Sequence, residues 1–256
     1  MSTALVTGAS SGIGRAFAER LAADGHDLIV VGRRKDRLEE LASTLTTVRV
    51  EVVVADLASD EGIGAVAALA ADRPLSLLVN NAGVSHYGPM AELPVAHARE
   101  LVGVKVVAPT MLTRAALPGM LARGAGTIIT VAGMLAFGGP APSGQLARAI
   151  YTGTLAHLVA WTQTLHGELA GTGVGAHVVC PGIVATEFHS VQGMDLSAVP
   201  RMSAEDVVTA ALAGVALGEV VTAPGLEDPS LLDAVFQADL AAFGAQTPRL
   251  ASRYRS

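Results

Sequence analysis

The sequence predicts an α/β protein: a doubly wound parallel sheet of about seven strands with helices on both faces. Three observations carry that expectation. Short β-branched runs alternate along the chain with longer alanine- and leucine-rich segments, and the strand runs are apolar almost throughout, as strands covered on both faces must be. A glycine-rich turn, "TGASSGIG" from Thr7 to Gly14, leads from the first strand into the first helix, the arrangement found at the ligand-binding edge of Rossmann-type sheets.

Taken in order, "ALVT" opens the sheet and precedes a helix over 13–23, and "DLIVVG" precedes a helix over 35–46. "VRVEVVVA" leads to 59–71, "LSLLVN" to 92–123, "GTIITV" to 146–171 and "GAHVVC" to 203–217, with "EVVTA" as the last strand. Residues 183–203, "IVATEFHSVQGMDLSAVPRMS", form the longest irregular connection and are expected to act as a lid-like loop. Residues 133–146, "GMLAFGGPAPSGQL", also have loop composition. No linker or repeat interrupts the pattern, so residues 1–256 are expected to form a single domain.

A net charge of −6 with scattered basic residues argues against a nucleic-acid surface and favours a small-molecule partner. Apolar residues make up 51% of the chain, yet every apolar run is broken before the roughly 18 residues of a membrane span. The surplus apolar surface is expected in a subunit interface, giving a homodimer or homotetramer. "MSTALVTGASSG" has no signal-peptide pattern, so a cytoplasmic location is expected. The lone cysteine, Cys180 in "HVVCPG", reads as a buried strand residue. No His, Cys, Asp and Glu cluster has metal-ligand spacing, so no metal is expected.

Within the turn, Gly8 permits the tight reversal, Gly12 lets a phosphate approach backbone N–H groups, and Gly14 lets the helix pack on the strand. The second strand ends in "VVGRRKDR", where Arg33 and Arg34 stand in place of the acid that would bind an NAD ribose. Guanidinium groups suit a 2′-phosphate, so NADP(H) is the expected cofactor; arginines opening a solvated helix are the alternative.

"TGASSGIG", "ADL" at 55–57, "NNAG" at 80–83 and "PGIVATEF" at 181–188 follow the order and spacing of the short-chain dehydrogenase/reductase family, which the sequence resembles over nearly its whole length. The resemblance implies a cofactor cradle of Gly8, Ser10, Ser11, Gly12, Ile13 and Gly14, with Arg33 and Arg34 at the second strand. It implies that Asp56 and Leu57 flank the adenine and that Asn80, Ala82 and Gly83 line the dinucleotide. Pro181, Gly182, Ile183 and Thr186 would then meet its nicotinamide end.

The catalytic pattern that the resemblance implies is only partly present. Tyr151 matches the family tyrosine, but position 155, where a lysine would share its helix face, is Leu155. The chain has two lysines, Lys35 and Lys105, so no other alignment restores the pair. Ala132 and Gly133 occupy the serine places, and Lys105 stands in the asparagine's place within "LVGVKVVAPT". A lysine beside the tyrosine would lower a phenol pKa that otherwise lies near ~10, and a serine would hold the substrate oxygen.

Tyr151 and Lys105 are therefore the candidate catalytic residues, Lys105 supplying from a different helix the charge that Leu155 lacks. His86, Tyr87, Gly133 and His189 are candidates for substrate contact, though wall residues with no chemical role fit His86 and Tyr87 equally. The expected activity is an NADP(H)-dependent carbonyl reductase with an atypical centre. One alternative is a non-redox biosynthetic enzyme, such as a cyclase, dehydratase or isomerase, using NADP structurally. A catalytically silent NADP-binding regulatory subunit is the other.

Overall fold

The computed structural model describes residues 2–141 and 147–255; positions 142–146 of the expected 133–146 loop lie outside the described residues. Seven parallel strands form one sheet in the order β3-β2-β1-β4-β5-β6-β7. They are β1 (Thr3–Thr7), β2 (Asp27–Gly32), β3 (Val50–Val54), β4 (Leu75–Asn80), β5 (Gly126–Val131), β6 (Val174–Val179) and β7 (Val221–Thr222). Between them run α1 (Gly12–Ala23), α2 (Lys35–Thr44), α3 (Asp60–Asp72), α4 (Val95–Val102), α5 (Ala108–Arg123), α6 (Ala149–Glu168) and α7 (Ala204–Leu217).

The strand side chains alternate between two core layers. Ala4, Val6, Leu28 and Val30 pack with Phe17 and Leu21 of α1 and Val207 and Val208 of α7. Their neighbours Leu5, Ile29 and Val31 face the other way, onto Ile63 and Val66 of α3 and Leu112 and Ala116 of α5. This two-sided burial is why the strands read as continuous apolar runs. A third cluster joins Leu101, Ala132, Leu155, Leu158 and Cys180 around Tyr151. Cys180 is fully buried just beyond β6, and burial pushes its thiol up to about 12.

Element ends depart from expectation for local reasons. The helix expected from 92 starts at Val95, after Pro94, whose φ of −55° and missing N–H suit an N-cap. Its middle is wound as a π-segment at Gly103–Val107 before α5 begins. Together Val95–Arg123 gives 29 helical residues of hydropathy 1.2, long and apolar enough by composition to cross a bilayer. Its Leu101, Ala108, Leu112 and Met120 are nevertheless buried in the protein core. β7 has only two residues, paired through Val178–Val221 and Val179–Thr222 at the C-terminal end of β6.

The 183–203 loop returns to its own start. Val184 and Met202 form an isolated parallel bridge, with Ala185 N–H donating to Met202 O at 2.8 Å and Met202 N–H to Ile183 O at 3.0 Å. A 3₁₀ turn, Ser190–Gln192, lies within it. The chain contacts divide between Pro224 and Gly225: the first unit holds the sheet and α1–α7, and the second holds α8 (Ser230–Gly244), in which Leu232 is buried.

Candidate functional site

Strand order reverses between β1 and β4, which opens a crevice at their C-terminal ends. Thr7 ties the two ends together. Its Oγ1 donates to Val79 O at 3.2 Å and accepts from the N–H groups of Asn81 at 2.9 Å and Ala82 at 3.0 Å. Gly8 turns away at φ +69°, and a Cβ on it would lie 2.9 Å from Ala82 Cα. At Gly14 a Cβ would lie 2.3 Å from the carbonyl oxygen of Gly8, so only glycine lets α1 settle on the strand end. Gly12 has φ +53° and a Cβ there would meet Thr186 Cγ2 at 2.9 Å, which brings Thr186 of the long loop against the glycine turn. Ser11, the N-cap of α1, makes no side-chain bond to the first-turn N–H groups.

The two arginines after β2 have different partners. Arg33 pairs with Glu100 of α4 at 3.0 Å; Glu100 also meets His86 Nε2 at 2.7 Å, and His86 stacks on His97 at 3.9 Å. Arg34 turns to the glycine turn instead, donating through Nη2 to Ser10 Oγ at 3.0 Å and Ser11 Oγ at 2.7 Å. It also pairs with Glu187 of the long loop, which Arg37 Nη1 reaches at 2.8 Å. Nearby, Leu57 is buried and Asp56 is exposed, its carboxylate accepting from Ala58 N–H at 3.0 Å.

Asn80 is buried. Its Nδ2 donates to Thr113 Oγ1 at 3.0 Å, while its Oδ1 has no partner among the described residues. A cavity of about 10 Å³, room for one water, is lined by Asn80, Thr7, Ala82 and Lys105. Lys105 lies in the π-segment and is only 4% exposed, as its apolar neighbours predict. Its Nζ donates to Val131 O at 3.4 Å, and a Cβ on Gly83 would lie 2.6 Å from it, so Gly83 leaves the space that the ammonium fills. Burial lowers the Lys105 pKa to about 8.

Tyr151 projects from α6 into the third cluster and is 7% exposed. The Tyr87 ring meets its ring edge-on at 5.4 Å, and Phe188 lies 6.4 Å away. Burial pushes the Tyr151 phenol well above its ordinary range, and the neighbouring Tyr87 hydroxyl pushes it the same way. Leu155 fills the place four residues on, 1% exposed. A Cβ on Gly133 would stand 3.4 Å from Leu155 Cδ1, an ordinary contact. Pro181 is buried, with its carbonyl accepting from Met134 N–H at 2.9 Å, whereas Gly182 and Ile183 are exposed. His189 lines an open cleft of about 360 Å³ with Thr186, Met194, Asp195 and Arg201; burial and Arg201 lower its pKa.

The structure thus gathers the glycine turn, Arg34, Asn80, Ala82, Gly83 and Thr186 at one crevice, with Arg33 turned to Glu100. An unpartnered buried acceptor, glycines with no room for side chains and a first helical turn without a side-chain cap suit the ribose and phosphates of a dinucleotide. Sequence reasoning missed Thr7, Asn81 and the carboxylates Glu100 and Glu187. Thr7 and Asn81 lie inside quoted motifs, but nothing in the sequence links Glu187 to an arginine 153 positions away. Among the described residues no group of His, Cys, Asp and Glu is placed to hold a metal ion.

The model of the short chain dehydrogenase family matches residues 2–195. The chain belongs to that family. It is 33% identical over 198 residues to a very-long-chain 3-oxoacyl-CoA reductase of Phaeosphaeria nodorum, covering 74% of this chain and 57% of that one. The chain therefore matches little more than half the length of that fungal relative. It is 35% identical over 192 residues to sulfoacetaldehyde reductase 2 of Chromohalobacter salexigens, covering 73% and 75% of the two chains. Among solved structures, a short-chain dehydrogenase from Sphingobium yanoikuyae in complex with NADPH superposes with a TM-score of 0.93, at 32% identity over 99% of this chain and all of that one. A bulky-bulky ketone specific alcohol dehydrogenase from Comamonas testosteroni gives 0.90 at 30% identity, over 100% and 99%.

Proposed function

We propose that this short-chain dehydrogenase/reductase is an NADP(H)-dependent carbonyl reductase acting on a small molecule, with Tyr151 as its proton donor. The observation that carries this reading is the Arg34 guanidinium, held at the mouth of the glycine turn by Ser10 and Ser11, where a 2′-phosphate is expected. The NADPH complex of the Sphingobium relative supports it. NADPH, when bound, supplies the hydride that reduces a carbonyl carbon.

The chain's own part is to bind and to protonate. The glycine turn and first turn of α1 would hold the phosphates, and Thr186 covers the turn from the opposite side. Tyr151 stays protonated at neutral pH because burial disfavours its phenolate, which suits donation to a developing alkoxide and not abstraction from an alcohol. Tyr87 orients that hydroxyl. Lys105 is the proposed source of the positive charge that Leu155 lacks; it is buried against Gly83 with its Nζ on Val131 O, while the Tyr151 phenol itself is shifted by burial and by Tyr87. Reduction is accordingly the favoured direction.

The apolar filling of the lysine place by Leu155 favours a second reading, a non-redox cyclase, dehydratase or isomerase on the same frame. Reduced-nicotinamide absorbance, followed during incubation with NADPH and a broad panel of ketones and aldehydes, separates the two. Slow loss of that absorbance with formation of the alcohol is expected. Conversion of a panel compound with no change in absorbance would overturn the reductase reading.

A further inference from the structure

The donors expected to receive the cofactor's 2′-phosphate already hold an anion. Glu187, from the loop that closes on itself at Val184 and Met202, reaches the far side of the crevice and pairs with Arg34, while Arg37 meets its other oxygen at 2.8 Å. Arg34 in turn is bonded to Ser10 and Ser11, so the carboxylate lies in a pocket of two guanidinium groups beside two serine hydroxyls. Guanidinium and hydroxyl donors converging in this way are the chemistry that binds a phosphate monoester. Ser11 and the two arginines hold the Glu187 pKa below the usual carboxylate range, so this internal anion is charged at neutral pH.

We propose that Glu187 is a built-in competitor for the 2′-phosphate of NADPH and thereby sets how strongly the protein prefers NADPH to NADH. This rests on the NADP(H) reading above. The phosphate gains Arg34 only as Glu187 withdraws, and withdrawal acts on the neighbouring Thr186, which stands against Gly12. The neighbouring carboxylates are differently placed: Asp56 accepts from Ala58 N–H and Glu40 pairs with Arg15. Glu100 belongs to α4, holds Arg33 and His86 together, and touches neither Arg34 nor the serines. Glu187 is thus the carboxylate that competes at the glycine turn, and its loop also carries His189 and the adjoining cleft.

The test is calorimetric titration of wild type and Glu187→Gln with NADPH and with NADH, together with amide hydrogen exchange of residues 184–202 in the cofactor-free proteins. Removing the charge while keeping the shape is expected to tighten NADPH binding by about three- to tenfold, the range for freeing partly exposed ion pairs, and to leave NADH within about twofold. Exchange across 184–202 is expected to quicken in the variant. NADPH binding that is unchanged or weaker in Glu187→Gln overturns the competition while leaving the NADP(H) reading intact. Failure of wild type to bind either cofactor overturns that reading, and this inference with it.

Discussion

The crevice at β1 and β4 and the pocket around Tyr151 are built on opposite principles. The crevice is polar and tied by backbone constraints: Thr7 bonds three peptide groups in and just beyond β4, and Gly8 and Gly14 leave no room for a Cβ. The Tyr151 pocket is an apolar cluster in which leucine replaces the expected ammonium and glycine the expected hydroxyl. On the proposed reading, the difference makes dinucleotide binding and proton transfer separable on this fold. The glycine turn of the binding half depends on backbone geometry, which tolerates few substitutions. The chemical half depends on side chains, which can change without disturbing the sheet.

The largest expected effect breaks the binding half. Gly14→Ala drives a Cβ into the Gly8 carbonyl at 2.3 Å, so α1 must move off the strand end. Loss of measurable NADPH binding and roughly 2–4 kcal/mol of stability are expected, read by titration and denaturant unfolding. Next, Tyr151→Phe addresses the chemical half alone. Carbonyl reduction should fall by about 10²–10⁴ while the NADPH dissociation constant stays within about twofold. Coupled loss of both would show that the halves are not separable.

Much of the fold was legible because two-sided burial writes itself into sequence as apolar runs, and "DLIVVG", "LSLLVN" and "GTIITV" match strands β2, β4 and β5 end to end. β7 was overestimated since it pairs only with the last two residues of β6, a tertiary property. The glycine turn was legible for a similar reason: forced glycines are few and local. The pairing of Arg34 with Glu187 was not, because it joins side chains distant in sequence with no periodicity between them. The π-segment also escaped, although Gly103 marks its start: the Gly103 Cα packs against Ala58, where a Cβ would lie 3.3 Å from the Ala58 carbonyl oxygen.

A third expectation concerns Lys105, which is buried beside Gly83 and Asn80 on the crevice side. Burial lowers its pKa from 10.5 to about 8. Below pH 8 the proton is bound in both folded and unfolded chains and the folded state bears the full desolvation cost. Between about pH 8 and 10.5 the unfolded chain binds more protons, so this group's contribution to stability rises with pH. Lys105→Met should therefore be the more stable protein at pH 7, by up to on the order of 3 kcal/mol, with the advantage shrinking through that window. Unfolding measured across pH 7–10 checks it; a constant difference would mean that Lys105 is not desolvated. The smallest effect distinguishes the arginines. Arg34→Ala should weaken NADPH binding more than Arg33→Ala, since Arg34 alone is fixed on the serines of the turn.

The measurement that bears most directly on the proposed pairing of an intact cradle with an altered catalytic pocket is a paired calorimetric titration of the wild-type protein with NADPH and NADH. NADPH is expected to bind at least about tenfold more tightly, from charge-assisted bonds to the 2′-phosphate. Equal affinities would contradict a cradle built for that phosphate.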